Sequence, residues 1–383
     1  MRQSVNVVTL QRNIMHVVIC GGGVIGACTA YFLSRRGIDV TVVERADVAA
    51  AASGKAGGFL ALDWCAGTPL DALAQRSFAL HAALPEEVGA DWSYRRMSAY
   101  SGFVVGEHSA RRHAKAELEW LSDGVVITSR LGTPETTAIV PPRTFTSTMM
   151  TSAQARGARL HTGRVNGLAR SPDGVGVRGV EVDGDIIEAD AIVIAMGPWS
   201  VLAAQWLSLP PVYGLQSPSL VYDTGADVPA DALFLEYSDE SGAAVSVELF
   251  PRGDGTTHIT AFSDQAPLPV DPVAVTPDPG AIERLQAIAE RLSPAFRSNR
   301  IVARQSCFRP VTQDGLPLIG PVPGAKGAYI ATGHSVWGIL NAPATGEAVA
   351  ELIADGAARS TDLTPFNPGR LRALDPSLLR ASR

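Results

Sequence analysis

Apolar residues come in short bursts near the start of the chain and settle into alternating patterns in its middle. His16-Val17-Val18-Ile19-Cys20 is a brief, β-branched run that stops at glycines, the pattern of a strand buried on both faces. Val24, Ile25, Cys28, Tyr31 and Phe32 then recur at helical spacing before Arg36 and predict a helix packed against that strand. Gly37 stands where a helix end favours a left-handed residue. Residues 38–43 form a second apolar run that stops at Glu44. Together these predict a complete β-α-β unit.

Residues 53–60, Ser-Gly-Lys-Ala-Gly-Gly-Phe-Leu, are dense in small side chains. Two readings stand at this point, a second ligand-contacting loop and a flexible surface loop. A helix is expected over 71–88, then a strand-rich stretch holding Trp92, Tyr94 and Tyr100. Strands follow near 125–127 and 138–140, the second closed by Pro141 and Pro142. Residues 143–155 read as a helix ending at Gly157. Asp173-Gly174 and Asp183-Gly184 mark hairpin turns within a strand group spanning 159–187. Residues 191–195 form another buried strand, running into Met196-Gly197-Pro198-Trp199.

From about 201 to 304 the pattern changes. Prolines cluster, alternating strands occupy 243–250 and 258–262, and one amphipathic helix covers 281–292. This is the pattern of a second, mostly antiparallel domain. The chain then returns to a strand at 328–331, a glycine-rich loop and a helix to Asp355, with Pro343 expected near its first turn and Gly356 past its end. Residues after Thr361 read as a tail.

Composition narrows the function classes. In 383 residues, 46% are hydrophobic and 18% charged, and the net charge is −6. That leaves room for two domains and gives no basic patch, so nucleic acid is not an expected partner. The four cysteines, Cys20, Cys28, Cys65 and Cys307, lack metal-site spacing and suit a reducing compartment. Residues 1–14 contain no continuous apolar stretch of the secretory kind. No run reaches the ~18 apolar residues of a membrane span. The expectation is a cytoplasmic protein with a small-molecule substrate; oligomeric state is left open.

The first unit carries its own chemistry. It holds G-x-G-x-x-G at Gly21, Gly23 and Gly26. The first glycine makes the tight turn, the second lets backbone approach a pyrophosphate, and the third lets the helix close on the strand. The pyrophosphate would sit on the helix N-terminus. Glu44, ending the second strand, can accept from both ribose hydroxyls and would repel a 2′-phosphate, which disfavours NADP. This is a dinucleotide site, and the motif does not choose between FAD and NAD.

These pieces in this order resemble the D-amino-acid-oxidase-like flavoproteins, in particular the glycine oxidase and sarcosine oxidase branch. The resemblance runs from Met15 to about Asp355. It is strongest at 21–44, at 53–60 and from Arg309-Pro310 through Gly346, where Gly333-His334, Gly338-Ile339 and Ala342-Pro343-Ala344-Thr345-Gly346 are the most specific part. The loop at 53–60 looks most like a subgroup of FAD-dependent oxidoreductases of plants, fungi and bacteria. The resemblance implies FAD and an α/β fold. A Rossmann-like FAD-binding domain (15–62, 140–200, 305–358) would be interleaved with a mostly antiparallel α+β substrate domain (63–139, 201–304), with tails at 1–14 and 360–383.

It also implies a site. The cofactor would be held by Gly21, Gly23, Val24, Ile25, Gly26, Glu44, Arg45, Ser53, Lys55, Ala56, Gly57, Gly58, Val165, Gly197, Trp199, Cys307, Gly333, Gly338, Ile339 and Leu340. Arg309, His334 and Trp337 would surround the reacting centre. Arg309 matches an arginine that holds the substrate carboxylate; an interdomain ion pair is its other reading. Glycine oxidases carry a second arginine two residues after the Gly-His pair, and here that position is Val336. Trp337 beside it suggests a larger or apolar substrate, or a ring face for a cation. Cys307 matches a cysteine that sarcosine oxidases bond to the flavin, or is a packing thiol. His258 lies near an oxygen-activating lysine of the same enzymes, or is an ordinary strand histidine. The expected function is oxidation of a C–N bond of an amine or amino acid by hydride transfer to FAD, with oxygen or another acceptor. A 2-hydroxy-acid dehydrogenase, and a weakly catalytic flavoprotein with an assembly or trafficking role, are the alternatives.

Overall fold

The computed structural model describes residues 15–105, 118–238 and 244–379. Its first half-core is a six-stranded sheet in the order 318–321, 328–332, 191–194, 16–20, 39–44, 159–162. The pairings are parallel except the antiparallel one between Leu318–Pro321 and Ala328–Thr332. Strand His16–Cys20 lies centrally, with Val17 opposite both Val40 and Ala191. Its side chains alternate between two cores: Val17 and Ile19 face one, Val18 and Cys20 the other. That is why the run is apolar without a polar face.

Helices Val24–Arg35, Asp71–Val88, Pro142–Gln154 and Gly338–Asp355 contribute to the first core. The opposite core is closed by the meander Val165–Arg170, Val177–Val182 and Asp185–Glu188 together with the 3-10 segment Gly197–Gln205. The expected Asp183-Gly184 turn joins the last two of these strands. Both residues have positive φ, 49° and 99°, as a two-residue hairpin turn with matching twist requires.

The second sheet has eight strands and is antiparallel except where Asp231–Ser238 runs parallel to Ser98–Val104. Strand Arg300–Val311 pairs with Tyr213–Asp223 along nearly its whole length. One face buries Leu220, Leu233, Leu235, Val247, Leu249 and Ile259 against Leu285, Ile288, Ala289 and Leu292 of helix Ala281–Leu292. The other face points toward the parallel sheet. A small sheet, Phe59–Ala61, Thr137–Ile139 and Arg95–Arg96, lies at the junction.

Several segments sit elsewhere than expected. Helix Asp71–Val88 falls inside the 63–139 segment assigned to the substrate domain, yet Leu73, Phe78 and Leu84 are buried in the core of the parallel sheet. Residues 305–311, expected with the FAD domain, complete a strand of the second sheet. The last helix starts at Gly338, so Pro343 lies inside it and not at its first turn. Residues 360–379 are packed on the body of the protein: Phe366 is fully buried, and Arg370 ion-pairs with Asp314 at 2.7 Å. The expected tail at 1–14 lies outside the described residues. Among the described residues no helix is long and apolar enough to cross a membrane.

Candidate active site

A cavity of about 640 Å³ lies between the two sheets, within the usual size of a ligand site. One end is the glycine turn. Gly21 has φ 111°, and a Cβ there would come 2.4 Å from the Ala195 carbonyl oxygen. At Gly26 a Cβ would meet the Gly21 carbonyl oxygen at 2.0 Å, so helix and strand approach closely only without a side chain. The first-turn amide of Val24 donates to Ser53 Oγ at 2.9 Å, a cap supplied from the 53–60 segment. Glu44 ends its strand with Oε2 accepting from Gly22 N at 2.6 Å and Oε1 from Ala46 N at 2.9 Å.

The 53–60 segment is fastened across the gap between the sheets. Lys55 Nζ donates to the Ser306 carbonyl at 3.1 Å, and Gln305 Nε2 donates to the Lys55 carbonyl at 3.2 Å. Arg252, almost wholly buried, donates to the carbonyls of Gly57 and Ala56. A Cβ on Gly57 would sit 2.3 Å from the Phe250 ring. This loop is packed against the second sheet, and Ser53, Lys55, Ala56, Gly57 and Gly58 line the cavity.

Most expected cofactor residues meet there: Gly21, Gly23, Val24, Ile25, Glu44, Arg45, Val165, Gly197, Trp199, Cys307, Gly338 and Ile339 all line the same space. Some are already engaged. Arg45 donates to the Val270 carbonyl and to Asp271, and the Trp199 indole donates to the Pro269 carbonyl at 2.7 Å. Gly26, Gly333 and Leu340 stand off the cavity. Gly26 serves the helix–strand contact, Gly333 turns with φ 81° beside Thr312, and the Leu340 side chain is buried in the core.

The other end of the cavity carries the polar chemistry. Arg309 donates through Nη2 to Ser217 Oγ at 3.0 Å and to Ser263 Oγ, while its Nε is buried without a partner. No carboxylate lies against it as an ion pair among the described residues. Cys307 is a buried free thiol pushed up by burial, an effect that Arg309 and Lys55 oppose. His334 touches Thr345 Oγ1 at 3.1 Å, and burial pulls it down to about 3. Burial, with Arg252 adding to it, likewise pulls His258 well below its ordinary value, and its ring stacks on Phe250. Both histidines are therefore neutral, and His258 supplies no cation. Val336 is 52% exposed. Trp337 packs edge-on against Trp64, with ring centroids 6.3 Å apart.

Two features of the site were not singled out in the sequence. Glu248 lines the cavity on the strand that also presents Ser246 and Phe250. Burial pushes its carboxyl above the usual carboxylate range, against the pull of Arg309. An aromatic wall forms from Phe59, Trp64, Phe234 and Phe250, with centroid separations from 4.9 to 5.5 Å. The one signal for Glu248 was a charged residue between Val247 and Leu249 in a strand whose alternate face also holds Phe250.

Comparison with known proteins gives a consistent picture. Residues 16–352 match the family described as DAO, FAD dependent oxidoreductase. The chain is similar to a glycine oxidase of Pseudomonas aeruginosa, 30% identical and covering 93% of this chain and 99% of the relative. An oxidoreductase-like protein of Schizosaccharomyces pombe is 27% identical over 93% of this chain and 98% of its own. The structure resembles the glycine oxidase of Geobacillus kaustophilus with a TM-score of 0.77, at 26% identity, over 93% of this chain and 99% of that one.

Proposed function

Because the chain belongs to the DAO family of FAD-dependent oxidoreductases, we propose that it oxidises the C–N bond of an amine or amino acid in the cavity between its two sheets. The observation that carries the reading is Arg309. Its guanidinium faces the cavity, braced by two serine hydroxyls and without an ion pair among the described residues, which leaves its fork for a ligand carboxylate.

The residues present suit FAD. The glycine turn leaves room for a pyrophosphate at the N-terminus of helix Val24–Arg35, and Glu44 offers acceptors for a ribose. When bound, FAD supplies the two-electron acceptor for the substrate C–H bond. The protein's own part is positional and electrostatic. Arg309 fixes the carboxylate, and the aromatic wall excludes water from the reacting carbon. Gly338 and Ile339 bring the first turn of helix Gly338–Asp355 to the cavity, where its positive end favours negative charge. The amine reacts in its neutral form, so an ammonium bound at the site gives up its proton to solvent before the C–H bond breaks; the buried His258 and His334 are poor acceptors for it.

A 2-hydroxy acid is the second reading, favoured by one observation: the Arg309 fork in the cavity takes its carboxylate as readily as that of an amino acid. The two are separated by mixing the yellow holoprotein anaerobically with pooled amino acids, pooled N-methyl amines and pooled 2-hydroxy acids. Bleaching by the nitrogen pools alone supports C–N oxidation. Bleaching by the hydroxy acids alone overturns it.

A further inference from the structure

Resting on that reading, we propose that Glu248 recognises the protonated nitrogen of an amino acid whose carboxylate Arg309 holds. The site then selects zwitterions over carboxylates that lack the amine.

The sheet register sets up the pair. Glu248 lies directly opposite Phe234 on one neighbouring strand and Thr260 on the other, and Thr260 lies opposite Ser219. Ser217, two residues away on that third strand, pairs with Cys307, two residues before Arg309. Phe234, Glu248, Thr260, Ser217 and Arg309 all line the cavity, so they share one face of the sheet. Two strands separate the one bearing Glu248 from the one bearing Arg309. At the usual strand spacing those two strands are about 14 Å apart, and Arg309 lies four residues, about 13 Å, along its strand from Gln305, which shares the row of Glu248. Both side chains line the one cavity, and the Arg309 charge is felt at the Glu248 carboxyl, so the two long side chains converge on a space that one zwitterion can bridge.

A carboxylate taken from water needs a cationic partner or hydrogen-bond donors. Among the described residues no cation ion-pairs with Glu248. Lys55, another lining cation, is committed to the Ser306 carbonyl, and Arg45 to Asp271. A ligand ammonium would complete the site. The raised carboxyl of Glu248 fits a group that lacks its partner until ligand arrives. The aromatic wall beside it, Phe59, Trp64 and Phe234 with Trp337 packed on Trp64, suits a ligand with an apolar side chain.

The test uses ligands that cannot be oxidised, so it does not depend on turnover. α-Methylphenylalanine has no α-hydrogen to lose, and 2-methyl-3-phenylpropanoate is the same molecule with hydrogen in place of the amine. Each enantiomer is titrated into the holoprotein, with binding read from the visible flavin spectrum and by equilibrium dialysis. The wild type should bind one enantiomer of the amino acid about tenfold or more tighter than the deaminated acid, the scale of one charge-assisted hydrogen bond. Glu248→Gln should move the two ligands in opposite directions. The amino acid should weaken about tenfold, while the acid, relieved of a like charge, binds as well or better. Retained binding of the acid reports that the variant is folded. Equal affinities in the wild type, no binding of either ligand, or a variant that shifts both alike would overturn the proposal. An absence of bleaching by any amine would instead strike the C–N reading, leaving this result to stand or fall by itself.

Discussion

His81 Nε2 lies 2.9 Å from the carbonyl oxygen of Ile339 and 3.2 Å from that of Leu340. A carbonyl only accepts, so Nε2 carries the proton. The contact exists because of Pro343, which has no N–H to offer the Ile339 carbonyl four residues earlier. The next amide, Ala344 N, turns to Ser77 Oγ at 3.1 Å. Helix Asp71–Val88 thus supplies the hydrogen bonds that the proline removes, just behind the turn of helix Gly338–Asp355 that lines the cavity.

Replacing His81 by leucine leaves two buried carbonyls without a donor. We expect a loss of about 2–6 kcal/mol, since each unsatisfied group costs about 1–3 kcal/mol. Urea unfolding of the holoprotein measures it. A loss below about 0.5 kcal/mol would mean that water or backbone adjustment replaces the imidazole.

Acid should destabilise the protein through its buried histidines. Burial pulls His81 down to about 4 and His334 to about 3, and His258 lies well below its ordinary value. Unfolded histidine takes a proton near pH 6.5, so below that pH the unfolded state binds more protons and stability falls as pH falls. The contribution is fully present above about pH 6.5, and for His81 the loss continues to about pH 4. Each such histidine contributes about 1.4 kcal/mol per pH unit in that window. Unfolding midpoints at pH 7.5, 6.5 and 5.5 should show only a small histidine-driven change over the first interval and a steep drop over the second.

Arg309→Lys should raise KM and lower kcat/KM for carboxylate-bearing substrates by about 10- to 100-fold, because a point charge cannot replace a bidentate fork braced by Ser217 and Ser263. Substrate amines lacking a carboxylate should change far less. An equal effect on both classes would assign Arg309 to bracing the second sheet through Ser217 and Ser263.

Cys307 should not tether the flavin. Its thiol is buried and pushed up, so it stays protonated and a poor nucleophile at neutral pH. After acid denaturation all flavin should appear in the supernatant. Flavin retained on the precipitated chain and released by Cys307→Ser would reverse this and favour the sarcosine-oxidase-like reading.

The elements best read from sequence are those whose determinants are local. The unit from His16 to Glu44 carries its periodicity, glycines and terminal acid within one short stretch, and strand, helix and strand follow as expected. The start of the last helix was displaced because Pro343 satisfies the rule for a first-turn proline. Its tolerance inside a helix depends on His81, 258 residues away from Ile339. Glu248 was missed for a similar reason. A charged residue alternating with Val247 and Leu249 looks like one on a wet sheet face, and only the arrangement of the two sheets shows that this face is enclosed. Helix Asp71–Val88 has its limits written in its own pattern, but its amphipathic face does not say which sheet it meets, and its buried residues join the core of the parallel one.

The packing of residues 360–379 bears on how far the chain can be shortened. The family match ends at residue 352, but Phe366 fills the first core and Pro368 lies against Gly320 on the outermost strand of the parallel sheet. Leu371 and Leu374 cover the second core, with Leu374 N bonded to the Leu209 carbonyl at 2.8 Å. A chain cut after Asp355 would bare both that apolar surface and the free edge of Leu318–Pro321. An uncovered edge of this kind pairs readily with another copy, so trimming to the family boundary should make the protein more prone to self-association.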